Sequence, residues 1–186
     1  MSCDIIGGRN EQCKDAVSGL HAIYMINYGD LDVPSVVTYG TGDNTDQITA
    51  ITGGTTSLYK FELKGNNSFE QEINSSRENG TTFFEQTLAV QLKRQDVKST
   101  KNVKLISYGR PRIIIHARGD QWFLMGLDQG CDVSAGTISS GSALGDFNGY
   151  SLTFTGMEEL PANFINCTTE AELKTLMGGS VVITSS

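Results

Sequence analysis

Along most of its length the chain alternates apolar with polar or small residues at every step. Residues 69–73 (Phe-Glu-Gln-Glu-Ile) and 88–92 (Leu-Ala-Val-Gln-Leu) carry this pattern most clearly. Side chains of a strand point to opposite faces in turn, so such a run has one dry and one wet face. The pattern predicts strands over 57–64, 68–74, 81–93, 112–117, 121–127 and 150–155, with weaker ones at 35–39 and 181–184. Residues 47–51 fit a short strand or a turn of helix. Residues 21–28 (His-Ala-Ile-Tyr-Met-Ile-Asn-Tyr) are apolar almost throughout, which marks a strand buried on both faces. Polar Gly, Asn and Ser joints separate the runs, among them Gly65-Asn66, residues 75–80 and Arg118-Gly119-Asp120.

Two stretches break the period of two. Residues 95–107 have Asp96 near their start, basic residues to their end, and Gly109 then Pro111 as stops, so they predict a helix. Residues 169–177 predict a short amphipathic helix, with Thr169 as N-cap and Glu172 in capping-box position. The segments 40–56 and 129–147, rich in Gly, Ser, Thr and Asp, are expected to be largely loop. The expected fold is mainly β (α+β): an antiparallel sandwich or barrel of two sheets with one flanking helix. The expected layout is an arm over 1–20 with a helical turn near 11–17, a β domain over 21–160, and an extension over 161–186 carrying the short helix. Trp122-Phe123-Leu124-Met125 and Phe83-Phe84 place large side chains on both faces of a sheet. Something must cover the second face, either a helix or a neighbouring subunit.

At 186 residues the chain is long enough for one domain with a real core. Its 21 Gly and 3 Pro suit many hairpin turns. The net charge of −7 argues against general binding to nucleic acid or to anionic membranes. The positive charge is concentrated in Lys93, Arg94, Lys98, Lys101, Lys104, Arg110, Arg112 and Arg118, opposed in that stretch by Asp96. Three readings apply: a solvated helix face and strand edge, a basic surface that meets an acidic surface of another copy, or direct contact with DNA. No secretory leader or membrane-length apolar run is evident, so synthesis in the cytosol with reduced cysteines is expected.

Candidate chemistry is sparse. Cys3, Cys13, Cys131 and Cys167 form no C-x-x-C pair and have no histidine at metal spacing. Arg118-Gly119-Asp120 reads as a tight hairpin turn, and the Asn-x-Ser/Thr sequons at 66, 74, 79 and 166 as turn residues. Residues 39–44 lack the Lys and third Gly of a phosphate loop, and Asp43, Asn44 and Asp46 lack calcium-loop spacing. Glu158-Glu159 reads as a solvated turn. His21 and His116 lie in strands with no nucleophile elbow nearby. No cofactor, metal or catalytic set is expected, and the chain reads as a building block or binding module.

Two stretches carry a family likeness: Glu78-Asn79-Gly80-Thr81-Thr82-Phe83-Phe84-Glu85-Gln86 before a long strand, and residues 138–158 (Ile-Ser-Ser-Gly-Ser-Ala-Leu-Gly-Asp-Phe-Asn-Gly-Tyr-Ser-Leu-Thr-Phe-Thr-Gly-Met-Glu) with Pro161-Ala162. Over residues 15–165 the chain resembles the tail tube proteins of tailed bacteriophages, including phages of Bacteroidetes hosts. The resemblance implies a virion role made in the host cytoplasm. Six copies would join their inner sheets into a ring, rings would stack into a tube with other tail proteins at its ends, and genomic DNA would pass without specific binding. It also implies that the 40–56 loop, with Asp43 and Asp46, the 75–80 turn, with Arg77 and Glu78, and the termini bridge rings. It offers no catalytic residue. A head decoration, head–tail connector or tail-terminator role is the alternative within virions, and a carbohydrate-binding β-sandwich the alternative outside them.

Overall fold

The computed structural model describes residues 5, 7–11, 13–14, 16–31, 36–52, 57–179 and 181–185. The strands are β1 (Leu20–Ile26), β2 (Val37–Tyr39), β3 (Gln47–Ile51), β4 (Ser57–Glu62), β5 (Ser68–Ser76) and β6 (Thr81–Lys93), followed by β7 (Arg112–Ala117), β8 (Gln121–Met125), β9 (Asp132–Ser139), β10 (Gly149–Glu158), β11 (Asn163–Ile165) and β12 (Val182–Thr184). The helices are α1 (Val97–Tyr108) and α2 (Glu170–Leu176). They build a mainly β, α+β fold of two sheets. One has eight strands in the order β12-β4-β1-β7-β8-β11-β3-β2, and the other four in the order β5-β6-β10-β9.

The period-2 pattern assigns each strand its two faces. From β1, Ile23 and Met25 point toward the small sheet and pack with Ile113, Ile115, Leu88, Val90, Leu152 and Phe154. Tyr24 and Ile26 point the other way and pack with Ile114, Trp122, Leu124, Ile48, Leu58 and Leu173. The second cluster collects side chains from β3 near one end of the large sheet's strand order and β4 near the other. The large sheet therefore wraps around this cluster, and α2 plugs it with Leu173 and Met177. Both faces around Trp122–Met125 are thus covered within the chain, and the neighbouring subunit considered for that task is not needed there. Trp122 stacks on His116, with centroids 4.0 Å apart, and leans on Tyr24 at 5.5 Å.

Several expectations change. Residues 132–139, read as part of a Gly/Ser/Thr-rich loop, form β9, because β10 offers them a complete antiparallel partner. Residues 163–165 form β11, which bridges β8 and β3. The large sheet is mixed, since β11 pairs parallel with β3 and β12 parallel with β4. The extension over 161–186 therefore supplies two strands of the large sheet and the plug of its core. The helical turn expected near residue 11 falls partly outside the described residues, and the described ones there carry no helix. The weak strand at 35–39 is described from residue 36 and is strand from Val37.

The α2 helix is anchored at its first residue. The Glu170 carboxylate accepts from the Tyr24 hydroxyl at 2.9 Å and from Lys60 Nζ at 2.8 Å. Thr169 and Glu172 complete the capping box. The Lys60 hydrogen bond holds the Glu170 carboxyl below its ordinary value of 4.5. Its folded value is depressed, so its contribution is present above 4.5 and fades as pH falls through the folded value. More than a third of this carboxylate is exposed, so solvent screens the pair. Glu170→Gln is expected to cost about 1 kcal/mol at neutral pH. Urea unfolding at pH 7 and below 4 should show that cost shrinking in acid. Phe154→Ala, at the centre of the inter-sheet core, is expected to cost about 3–5 kcal/mol in the same assay.

Candidate assembly surface

The small sheet covers the large one with its inner face and turns its other face to solvent. Register fixes which residues lie outside. Glu70, Glu72 and Asn74 of β5 lie opposite Thr87, Glu85 and Phe83 of β6. Thr87 and Ala89 lie opposite Thr155 and Thr153 of β10, and Ser151 lies opposite Thr137 of β9. The outward positions are thus mostly hydroxyls, amides and carboxylates, with Ala89 among them and the apolar Phe83 and Met157 exposed toward the hairpin end. A cross-strand hydroxyl contact knits this face, with Thr155 Oγ1 donating to Ser134 Oγ at 2.9 Å, while Ser75 meets Thr82 at 3.0 Å on the opposite face near the hairpin tip. Glu72 and Glu85 face one another directly, an arrangement that repels. Asn74 Nδ2 donates to Glu85 at 3.4 Å. Among the described residues the single cation at an outward strand position is Lys93, at the rim, whose ammonium lies beside Gly65.

The sheet has two free edges, β5 and β9. All its pairings are antiparallel, so these edges run in opposite directions. The β5–β6 hairpin ends in a turn at 77–80 that presents Arg77 and Glu78, both exposed. Lys93 and Arg94 sit at the far end of β6, roughly 40 Å away at about 3.4 Å per residue. Arg94 has φ of 67° and donates its backbone N–H to Asn148. This left-handed residue turns the chain out of β6 toward α1. Asp96 then caps α1 by accepting from Ser99 N at 2.7 Å. Its carboxyl is held low, first by that backbone bond.

The sequence-predicted residues therefore fall in separate places. Lys98, Lys101 and Lys104 are exposed along α1, on the flank of β9. Asp43 and Asp46 are exposed in the turn between β2 and β3, and the Asp46 carbonyl accepts from Asn163. Arg110 is exposed, donates to the Gln129 carbonyl and lies over the Tyr28 ring. Arg112 is the correction. Only 3% of it is exposed, and its guanidinium donates to the carbonyls of Leu127, Tyr28 and Leu31. Its position at the start of β7, where two loops must be tied, keeps it inside. As placed in this chain, it ties loops of its own subunit rather than presenting a contact to another.

Other groups of chemical interest are used internally. Glu158 accepts from the backbone N–H of Asp128 and Gln129, and burial pushes its carboxyl up. Cys131 and Cys167 are buried free thiols raised by desolvation, Cys167 to about 12. His116 is lowered by burial and packed against Trp122. Among the described residues no group of His, Cys, Asp and Glu is arranged to hold a metal ion.

Sequence reasoning missed β9, the second edge of the surface. Its one alternation signal, Val133 and Ile138 among small polar residues, is too sparse to stand out. No family model matches the chain, and no curated protein or solved structure matches it either. Arg112→Ala is expected to lower stability by about 3 kcal/mol, since it leaves three carbonyls without their donor. Lys101→Ala should stay within about 0.5 kcal/mol of the parent in the same denaturant titration.

Proposed function

We propose that this chain is a structural subunit of a self-assembling tube, of the kind that forms the tail tube of tailed bacteriophages. The observation that carries the reading is the small sheet: two free edges of opposite direction, and an outer face with Glu70, Glu72, Glu85 and Asp132 but one rim cation. Rotating such a unit about an axis brings β9 of one copy antiparallel to β5 of the next. Repetition closes the sheet and removes its exposed edges. Six copies, the number the resemblance implies, would make a barrel of 24 strands lined by the hydroxyl and carboxylate face.

That lining suits the passage of DNA. Carboxylates repel phosphate over a Debye length of about 8–10 Å at moderate salt, so the duplex is not held by the wall. The hairpin tip with Arg77 and Glu78 and the opposite end with Lys93 and Arg94 lie where stacked rings would meet. The basic ridge of α1 flanks β9 rather than the lining face, and in this reading it would meet another copy or another tail protein. In this reading the chain works in the virion, without catalysis or a cofactor.

Negative-stain electron microscopy of concentrated protein, with solution mass beside it, is expected to show rings or hollow tubes. A protein that remains a monomer at every concentration would count against the tube and favour a decoration role or a glycan-binding module. Thr87→Lys with Thr153→Lys, both on the lining face, should leave the fold intact. Tubes of this variant should retain short duplex DNA at low salt where the parent tubes exclude it, read by nuclease protection.

A further inference from the structure

We infer that neighbouring copies join through one defined strand register, in which Ile138 of β9 sits on Phe69 of the next copy's β5 and fills an apolar-floored groove there. The inference rests on the ring-forming reading above and goes beyond it in naming the contact.

The groove lies along the β5 edge. It measures about 930 Å³ and is open to solvent. Phe69 and Gln71 of β5 line one side, Ala117, Arg118 and Phe123 of the large sheet the other, and residues 16–20 close an end. Phe69 packs on Phe123 with centroids 5.7 Å apart, so the groove is the place where the inter-sheet core reaches the surface. The opposite edge has the matching projection. Ile138 lies opposite Tyr150, whose side chain is fully buried, and so points to the inner layer. Yet Ile138 is 55% exposed, because among the described residues no further strand pairs with the outer edge of β9. Leu144, in the loop after β9, is fully exposed. One edge thus carries an apolar knob, Ile138, in the layer where the other has a gap.

Backbone alternation decides the register. The Gln91 N–H reaches the Asn67 side chain, so odd-numbered residues of β6 turn their peptide groups to β5. The β5 residues that face them are even-numbered, which leaves Phe69, Gln71 and Ile73 with peptide groups aimed at the free edge. The Arg94 N–H reaches Asn148, so even-numbered β6 residues turn to β10. Ser151 and Thr153 then bond β9 at Thr137 and Ala135, leaving Gly136 and Ile138 aimed outward. Setting Ile138 opposite Phe69 and Gly136 opposite Gln71 joins donors to acceptors and keeps inner residues on the inner face. Ser139 then meets Ser68, Thr137 meets Glu70, and Ala135 meets Glu72. No carboxylate opposes another, and the pairing runs to the first residue of β5.

The stagger of the sheet agrees. Ser68, the first residue of β5, is level with Ala89, Thr153 and then Ala135, in the middle of β9. The proposed register shifts each copy by about four to five residues, or ~14–17 Å, across four strand spacings of about 4.8 Å. That corresponds to a strand tilt of roughly 35–40°, at which closed barrels form. With six copies the backbone ring would be about 45 Å across, wide enough to pass a duplex.

The test is disulfide trapping in the full chain with Cys3→Ser and Cys13→Ser. In the proposed register Thr137 and Glu70 form a non-hydrogen-bonded pair, with Cα atoms about 4.5 Å apart and side chains close enough to cross-link. Glu70→Cys with Thr137→Cys should give an oxidised ladder that ends in a closed ring on non-reducing gels. Glu72→Cys with Thr137→Cys, and Glu70→Cys with Ala135→Cys, report slips of two residues in either direction and should stay largely uncross-linked. Ile138→Asp should keep the circular dichroism and melting of the parent, since the side chain is half exposed, while raising the concentration needed for assembly by at least about tenfold. Rings or tubes that form without the Glu70–Thr137 cross-link, or with a slipped one, would overturn this register and leave the tube reading standing. Cross-linking that stops at a dimer would overturn the ring-closing contact. A protein that never assembles, with no cross-link in any variant, would overturn both.

Discussion

The constraint on which this molecule depends is that β1 and β7 serve two cores at once. Ile23, Met25, Ile113 and Ile115 face the small sheet, while Tyr24, Ile26 and Ile114 face the wrapped interior plugged by α2. Neither strand has a wet face, so their sequences run apolar at successive positions. The two cores share one pair of backbones, so a shift in either is felt in the other. The tethers at the margins serve the same layering. Arg112, at the start of β7, ties the Tyr28–Leu31 and Leu127 loops, and Glu170 fixes α2 to Tyr24 and Lys60.

Because these strands are covered on both faces from within, the apolar run at Trp122–Met125 that first suggests a partner is already satisfied, while Phe83 stays exposed on the outer face of the small sheet. What remains for a partner is the small sheet. Its outer face is mostly polar: hydroxyl and carboxylate side chains predominate, with Phe83 and Met157 exposed at one end. Its edges are a different matter. Exposed edge strands are usually blunted by lysine, proline or bulges. β5 carries Glu70 and Glu72, but no lysine or proline. β9 has one bulge and a single charge, Asp132, at its start. An edge left this plain suits a strand that is paired in the working state. The knob of Ile138 and the groove beside Phe69 give that pairing a shape as well as a ladder of hydrogen bonds.

The elements with strong local signals were legible. Residues 81–93 read as one long strand and form one, and the capping box at Thr169 and Glu172 forms as its spacing predicts. The stops at Gly109 and Pro111 end α1 at Tyr108. The Arg118-Gly119-Asp120 turn closes the β7–β8 hairpin, with Gly119 and Asp120 at positive φ. Each of these depends on residues within a few positions of one another, where backbone sterics and capping act.

The sequence by itself determined the strand periods, the turn sites, both helices, the two-faced burial of β1 and the acidic balance of the chain. The tertiary structure alone decided that 132–139 is a strand, because small polar residues become one only when β10 supplies their hydrogen-bond partners. It alone decided that Arg112 is internal while Arg110, two residues earlier, is exposed, since burial depends on which loops close over a side chain. The candidate site belongs wholly to this second kind. Its free edges, its face without inner cations and the match of Ile138 to a distant groove arise from pairings between segments far apart in the chain, and local pattern holds no information about which strand lies beside which.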